Sequence, residues 1–372
     1  MSSLSTDEYD SPQTVRGTRS ATRRPLRNRT ALLSSLLIGS IVLIMVESAS
    51  VGPLETSLKE AAKITLGHLL PGMPWMTDGT ITVAQDRAVW NFRVPRTLLA
   101  GIAGASLALA GALMQVTVRN PLAEPYILGV SAGAGVGAVT AIVLGSATLS
   151  GVPISLAAFA GAVVATALVY LLAQQHGVIA PTRLILAGVA LGALLAAITN
   201  FLTITTEAQN VYSVLFFLLG SVSAATYSQL LFPAVCLVAV SVLVMLRSRD
   251  LNAMLAGDES ATALGVNVGV MRKLLLLAAA LLTGATVAVA GGIGFVGLVI
   301  PHVARILVGA DHRRMLPITV LGGACFLMLA DLLSRTIAQP TEIPLGILTA
   351  VVGAPFFLWL MRQSSAIRGG VA

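Results

Sequence analysis

Long apolar runs with few or no charges recur from residue 31 to residue 361, separated by short polar stretches. A helix needs about 20 apolar residues to cross a bilayer core about 30 Å thick. Ten runs approach or reach that length, so the pattern predicts an all-α polytopic membrane protein with about ten transmembrane helices. The predicted spans are Ala31–Val46, Arg96–Thr117, Tyr126–Ser146, Val152–Gln174, Arg183–Thr206, Tyr227–Leu246, Arg272–Ala290, Phe295–Val308, Met315–Ser334 and Leu345–Met361.

Two apolar runs are too short to cross a membrane unaided. Val211–Gly220 predicts a re-entrant or interfacial half-helix. Phe295–Val308 would reach only about 21 Å as a helix, so it must tilt little or be shielded by its neighbours. The sequence GGIG at 291–294 separates two predicted spans, and its glycines favour a tight turn there.

The ends of the chain are polar. Residues 1–30 are rich in Ser, Thr and Arg and lack apolar periodicity, which predicts a disordered basic cytoplasmic tail. Residues 31–362 are then a single transmembrane domain, and residues 363–372 are a short cytoplasmic tail. Because residues 48–50 resemble a small-residue cleavage site, a signal peptide stays open beside a first membrane helix. Either way, the amphiphilic segment 52–92 begins outside.

Composition and charge agree with a membrane protein. Hydrophobic residues make up 56% of the 372 positions and charged residues only 10%, which excludes a soluble domain with an anchor. Lys and Arg should collect in cytoplasmic loops. With the N-terminus inside, 17 of the 23 basic residues fall on the cytoplasmic side, which predicts that both termini are cytoplasmic. The six external ones are the exception to explain.

Catalytic motifs are sparse. None of the three lysines is followed by Ser or Thr, so the phosphate-binding loop of an ATPase is absent. The four histidines show no paired spacing, and Cys236 and Cys325 lie far apart in apolar runs, so neither a metal centre nor a disulfide framework is indicated. No pairing of nucleophile and base supports an intramembrane enzyme.

Acidic residues are almost absent from the predicted spans. Only Asp331 falls within a span and Glu47 directly follows the first one, both near outer ends. An ion-coupled secondary transporter usually carries ionisable groups near the membrane centre, so this alternative is weakened but stays open. Arg335 follows Asp331 by one helical turn, and the spacing predicts an ion pair.

The longest cytoplasmic connection lies between the sixth and seventh spans. Its apolar residues Leu251, Met254, Leu255, Ala261 and Leu264 recur at helical spacing, which predicts short amphipathic helices. The segment lacks the basic polar face of a helix that lies on lipid. We therefore expect it to rest on a protein surface.

Four blocks resemble the permeases of cobalamin, haem and ferric-siderophore ABC importers. They follow the family order from the second span to the last, and they are FRVPRTLLAGIAGASLALAGALMQVTVRNPLAEPYILGVSAGAGVGAV (92–139), GDESATALGVNV (257–268), GGIGFVGLVIPHVAR (291–305) and ADLLSRTIAQPTEIPLGILTAVVGAPFFLWLM (330–361).

The resemblance implies a permease subunit in the cytoplasmic (inner) membrane of a bacterium, with its first helix retained. It also implies a second permease copy or paralogue, two ATPase subunits that use ATP and Mg, and an extracytoplasmic substrate-binding protein. No cofactor, metal or nucleic acid is expected on this chain itself. A ferric siderophore is the expected substrate because that branch is the commonest, with haem and cobalamin as alternatives.

The resemblance also assigns site residues. Segment 250–268 corresponds to the coupling helices that dock on the ATPase, and its expected contacts are Gly257, Asp258, Glu259, Ala261, Leu264 and Gly265. The external arginines Arg93, Arg96 and Arg335 match positions that pair with acidic residues of the binding protein, and a bidentate guanidinium suits that role. Asn200 and Thr203 in the fifth span are the expected polar residues of the translocation path.

Overall fold

The computed structural model describes residues 23–70, 72–144, 153–175, 178–179 and 181–369. Its helices are α1 (Arg23–Ser50), α2 (Leu58–Leu69), α3 (Val83–Arg87), α4 (Val94–Val118), α5 (Val130–Leu144), α6 (Ile154–Ala173), α7 (Pro181–Thr205), α8 (Ala208–Leu219), α9 (Tyr227–Leu246), α10 (Ser248–Leu255), α11 (Asp258–Ala263), α12 (Val268–Ala290), α13 (Val296–Val308), α14 (His312–Thr336) and α15 (Leu345–Gly369). A π-helical turn, Ala88–Arg93, joins α3 to α4, and 3-10 turns form at Pro74–Met76 and Pro125–Leu128. The two-residue strands β1 (Gln174–Gln175) and β2 (Val178–Ile179) pair antiparallel.

The helices confirm the predicted all-α polytopic class. Seven of them are long and apolar enough to cross a membrane: α1, the continuous α3 to α4 segment, α6, α7, α9, α12 and α14. The third, eighth and tenth predicted spans are the shorter apolar helices α5, α13 and α15. The predicted half-helix is α8, which has 12 residues.

The predicted disordered tail is wrong at its inner boundary, and the last helix continues into the predicted C-terminal tail. α1 begins at Arg23, so residues 23–30 are helical, and α15 continues to Gly369. Extending an existing helix adds one hydrogen bond per residue without a new nucleation cost, so polar residues join the apolar span. Pro25 is tolerated because it lies in the first turn. Residues 1–22 lie outside the described part of the chain.

α4 lies at the centre of the helix bundle. Of its most apolar window, 89% is buried by protein, so its neighbours replace lipid as its surroundings. It packs on α14 and α13 at two glycines. A Cβ at Gly104 would overlap the carbonyl of Gly323, and one at Gly111 would overlap the carbonyl of Gly297. These contacts bring helix backbones together where lipid provides no hydrophobic drive for association.

α13 begins inside the membrane rather than at its surface. Gly297 packs against Gly111, which is seven residues, or roughly 10 Å, from the last residue of α4. α4, α14 and α15 contact α13, which confirms that neighbours shield this short helix. Irregular backbone at such depth is tolerated only where protein covers it.

The predicted tight turn at 291–294 is wrong. The segment runs along the end of α8, where the Gly292 amide donates to the Phe217 carbonyl at 3.3 Å and the Ser221 amide donates to the Ala290 carbonyl at 2.9 Å. Gly291, with φ of +69°, would direct a Cβ into the Phe217 carbonyl. The glycines of this segment therefore allow its backbone to approach the backbone at the end of α8 closely.

The segment before α4 forms a cap at one end of the bundle. In α2, Ala61 and Ile64 are buried against Ala49, Val89 and Val94. We call this end of the bundle the α2 end, and the opposite end, which carries α10 and α11, the α10 end.

Candidate functional site

The three predicted docking arginines come together at the α2 end. Arg93, Arg96 and Arg335 line one cavity of about 290 Å³, together with Glu342 and Ser223. Each of the three arginines is more than nine-tenths buried. Only the part of each guanidinium that borders the cavity is open to a partner.

Arg96 lies between two carboxylates. Its Nε donates to Asp331 Oδ1 at 2.8 Å, and its Nη1 donates to Glu342 Oε1 at 2.8 Å. Asp331 is completely buried, whereas the Glu342 side chain is 38% exposed. Arg96 therefore links the membrane-buried acid to the rim of the cavity.

Arg335 completes the pairing of Asp331. Its Nη2 lies 3.1 Å from Asp331 Oδ2, which confirms the predicted ion pair one helical turn apart. The same guanidinium donates to the Ser48 hydroxyl and, at 3.2 Å, to the Val51 carbonyl. Sequence spacing indicated the pair with Arg335 but not the shared partner Arg96, which is far away in the sequence.

Arg93 binds carbonyl groups rather than an acid. Its Nη1 donates to the carbonyls of Ala49 and Ser50 at 2.9 Å each, and its Nη2 donates to Leu54 at 2.5 Å. The last carbonyls of a helix lack partners within the helix. Arg93 therefore ties the end of α1 to the start of α4 beside the cavity.

The predicted coupling segment forms two short helices, α10 and α11. Leu251, Met254 and Ala261 are buried inside the subunit, whereas Leu255 is 50% and Leu264 71% exposed. Glu259 and Gly265 are also exposed. Of the six expected contacts, Glu259, Leu264 and Gly265 therefore present a surface, while Ala261 holds α11 to the bundle.

Asp258 anchors α11, and its side chain is still 39% exposed. Both of its carboxylate oxygens accept from Arg272 Nη2, at 2.9 and 3.0 Å, and Oδ1 lies 2.9 Å from Arg119 Nη2. Arg272 belongs to α12, and Arg119 is the left-handed residue that ends α4. Gly257, with φ of +115°, brings the chain into α11 beside Arg119. Asp258 thus fixes the coupling segment to two membrane helices.

A second anchor fixes α10 to α14. Asn252 donates to Asp311 Oδ1 at 2.7 Å and accepts from the His312 amide at 2.9 Å. Burial alone would raise the pKa of Asp311, but hydrogen bonds from Asn252 and the Arg313 amide, with nearby arginines, lower it below its ordinary value. The carboxylate that caps α14 is thereby kept ionised.

An open cavity of about 390 Å³ lies between these elements. It is lined by Leu264 and Asn252 together with Asp311, Arg249 and Arg313. The loop before α14 therefore shares the surface of the coupling segment. Sequence reasoning missed this loop because its residues lie far from segment 250–268 in the chain.

The two predicted path residues lie on α7, which has the smallest buried share after α1 among the long apolar helices. Asn200 is exposed, and the Thr203 hydroxyl donates to the Thr199 carbonyl at 2.7 Å. An amide facing lipid would be costly. The exposed Asn200 therefore favours a face of α7 that meets protein or a polar path.

Glu124 and Tyr126 form a polar junction that the sequence did not reveal. Glu124 Oε1 accepts from the Phe295 amide at 2.7 Å, just before α13. The Tyr126 hydroxyl accepts from the Ile293 amide and donates to the Ile293 carbonyl, both at 2.8 Å. The irregular backbone before α13 is thus satisfied at membrane depth. Glu124 lies outside every apolar run, so hydropathy gave no signal.

Known transport proteins match this chain over most of its length. Residues 32–363 match the FecCD transport family. The chain is 39% identical over 351 residues to the cobalamin import system permease protein BtuC of Halobacterium salinarum, which covers 87% of this chain and 94% of that protein. It is 38% identical over 302 residues to the vitamin B12 import system permease protein BtuC of Salmonella typhi, which covers 81% and 92%.

A solved structure agrees over nearly the whole chain. A metal-chelate type ABC transporter in an inward-facing conformation superposes with a TM-score of 0.76 at 31% identity, covering 90% of this chain and 99% of that chain. Membership of this family means that ATP and Mg are used by separate ATPase subunits. The chain belongs to the FecCD transport family, as a multi-pass permease subunit of an ABC importer.

Proposed function

We propose that this permease imports cobalamin or a closely related corrinoid chelate. The observation that carries the substrate class is the identity of 38 to 39%, over most of both chains, to permeases named for cobalamin import. The expectation of a ferric siderophore rested on the prevalence of that branch, and no observation here favours it over cobalamin. Family membership also removes the ion-coupled secondary transporter.

Uptake measurements test the substrate. The permease, its ATPase and its binding protein are expressed in a strain that lacks both cobalamin synthesis and cobalamin uptake. We expect accumulation of labelled cobalamin to rise by an order of magnitude or more above the empty-vector level, with no gain for ferric siderophore or haem. Uptake of an iron chelate in place of cobalamin would contradict the proposed substrate. It would not contradict membership of the family.

In the proposed orientation the chain lies in the inner membrane. The α10 end and both termini are on the cytoplasmic side. The supporting observation is that 17 of 23 basic residues fall on that side under the positive-inside rule. ATPase subunits then dock on the exposed Glu259, Leu264 and Gly265. A second permease copy, or a paralogue, packs against the open face of α7, so that Asn200 and Thr203 border the path.

α14 supports a mechanical link between the two ends of the bundle. Asn252 and Asp311 hold its first turn to the coupling segment, while Asp331 and Arg335 hold its last turns to the arginine cavity. A helix of 25 residues is a stiff element about 37 Å long. We propose that movement of α10 on ATP binding tilts α14 and so alters the outer cavity.

The binding protein is proposed to dock on the arginine cavity with an acidic side chain. Support comes from three guanidinium groups that line one outward cavity, offering donors to a carboxylate. The exposed Glu342 restricts the approach, because a second acid must avoid it. The partner acid is therefore expected to enter between Arg93 and Arg335.

Closing this cavity without touching its arginines tests the docking proposal. Ser223→Phe places a ring at the cavity wall, and we expect the affinity for the binding protein to fall by about tenfold or more. The matched control is Ala224→Phe, since Ala224 is exposed and does not line the cavity. Both variants should keep basal ATPase activity. Equal affinity for the two variants would refute docking at the cavity.

A further inference from the structure

A groove in the membrane surface between α6 and α12 has an apolar wall and a basic end. Its volume is about 400 Å³, and its wall includes Phe159, Ala167 and Tyr170 of α6 with Lys273 and Leu281 of α12. The 3-10 turn before α5 contributes Leu128 to the groove. The groove therefore lies between protein helices on three sides and opens toward the bilayer.

The groove has the depth of one membrane leaflet. On α6 it extends from Phe159 to Tyr170, which is roughly 16 Å at the helical rise, and half of a bilayer core is about 15 Å. The two helices run antiparallel, since Phe159 packs beside Gly284 near the far end of α12. Tyr170 and Lys273 therefore lie together at the α10 end, and the apolar end reaches the middle of the membrane.

The basic end carries charge without a protein counterpart. Lys273 is exposed and has no ion pair or hydrogen bond within the described residues. A lysine inside an apolar span extends its ammonium group toward the interface. The Lys273 ammonium group then faces the headgroup region at the end of the groove that Tyr170 also lines.

We propose that this groove binds an anionic phospholipid, with one acyl chain along α6 and α12 and its phosphate at Lys273. Charge complementarity selects the headgroup, because basic pockets between membrane helices bind anionic lipid. Because the groove is about as long as one leaflet is thick, it fits an acyl chain better than a peptide. Under the proposed orientation the lipid belongs to the cytoplasmic leaflet, next to the anchored coupling segment.

Native mass spectrometry of the assembled importer tests the site, with phosphatidylglycerol and phosphatidylcholine as probes. We expect at least one phosphatidylglycerol to remain bound under conditions that strip phosphatidylcholine. Lys273→Gln should lower the apparent affinity for phosphatidylglycerol by about fivefold, and Lys273→Arg should restore it. Lys63→Gln, which removes an exposed lysine from α2, should have no effect.

Filling the groove gives an independent test. Ala167→Trp places an indole in the groove and should displace the bound lipid, whereas Val164→Trp on the same helix lies outside the groove wall and should not. Equal retention of both lipids, or equal lipid loss in the two tryptophan variants, would mean annular lipid only and would overturn the proposal. Neither result bears on which substrate is imported.

Discussion

Asp331→Asn is expected to lower the stability of the permease by about 3–5 kcal/mol, because it leaves two buried arginines with one acid between them. Asp331 is completely buried and pairs with Arg96 at 2.8 Å and Arg335 at 3.1 Å. The side-chain volume is almost unchanged, so the loss reports charge rather than packing. Thermal unfolding of the purified subunit in lipid nanodiscs measures it.

Asp86→Asn provides the matched control. Asp86 also has a side-chain partner at the α2 end, with its Oδ1 2.7 Å from His68 Nε2, but both side chains are about 30% exposed. A solvent-screened pair contributes at most about 1 kcal/mol. Adding Arg335→Gln to Asp331→Asn should recover part of the lost stability, since it removes an unpaired buried cation. Similar melting temperatures for the two single variants would show that the buried pairs contribute little.

Asp258→Asn is expected to uncouple ATP hydrolysis from transport. The carboxylate holds α11 to Arg119 and Arg272, whereas the proposed surface for the ATPase is formed by other residues. An amide cannot pair with both guanidinium groups, so α11 should shift against α4 and α12 while docking persists. We expect the number of substrate molecules transported per ATP in proteoliposomes to fall by tenfold or more.

A double-mutant cycle separates this effect from a general loss of folding. If Asp258 acts through Arg119, then Arg119→Gln should reduce transport, and the double variant should be little worse than Asp258→Asn alone. Arg247→Gln, which breaks an exposed pair with Asp250, should stay within about twofold of the unmodified protein. Strictly additive losses, or unchanged coupling in Asp258→Asn, would contradict the assignment.

The helical architecture was predictable because hydrophobicity is a local property. Each span is a contiguous run, so the ten helices and the half-helix α8 could be located from the sequence. The short apolar repeat in segment 250–268 likewise predicted α10 and α11. The prediction failed at Arg23–Thr30, because the polar composition of these residues predicts disorder. In the folded chain the adjacent apolar span extends its helix through them.

Partner choice among the charged residues was not predictable, apart from the neighbours Asp331 and Arg335. Ion pairing falls off over a few ångströms, and only the folded chain brings Arg96 to Asp331 or Arg119 to Asp258. The sequence therefore singled out Arg93, Arg96 and Arg335 without showing that they are buried around one cavity. It placed Asp258 in a docking surface but did not show that this residue also anchors α11 to Arg119 and Arg272.

The sequence by itself determined that this chain spans a membrane many times, has no phosphate-binding loop and forms two short helices in segment 250–268, because each of these features depends on contiguous residues. Only the tertiary structure decided that α13 begins at membrane depth, where Glu124 and Tyr126 satisfy its irregular approach. The reason is that exposed backbone polar groups are not tolerated in lipid. Their partners must come from whichever distant segment the packing places beside them.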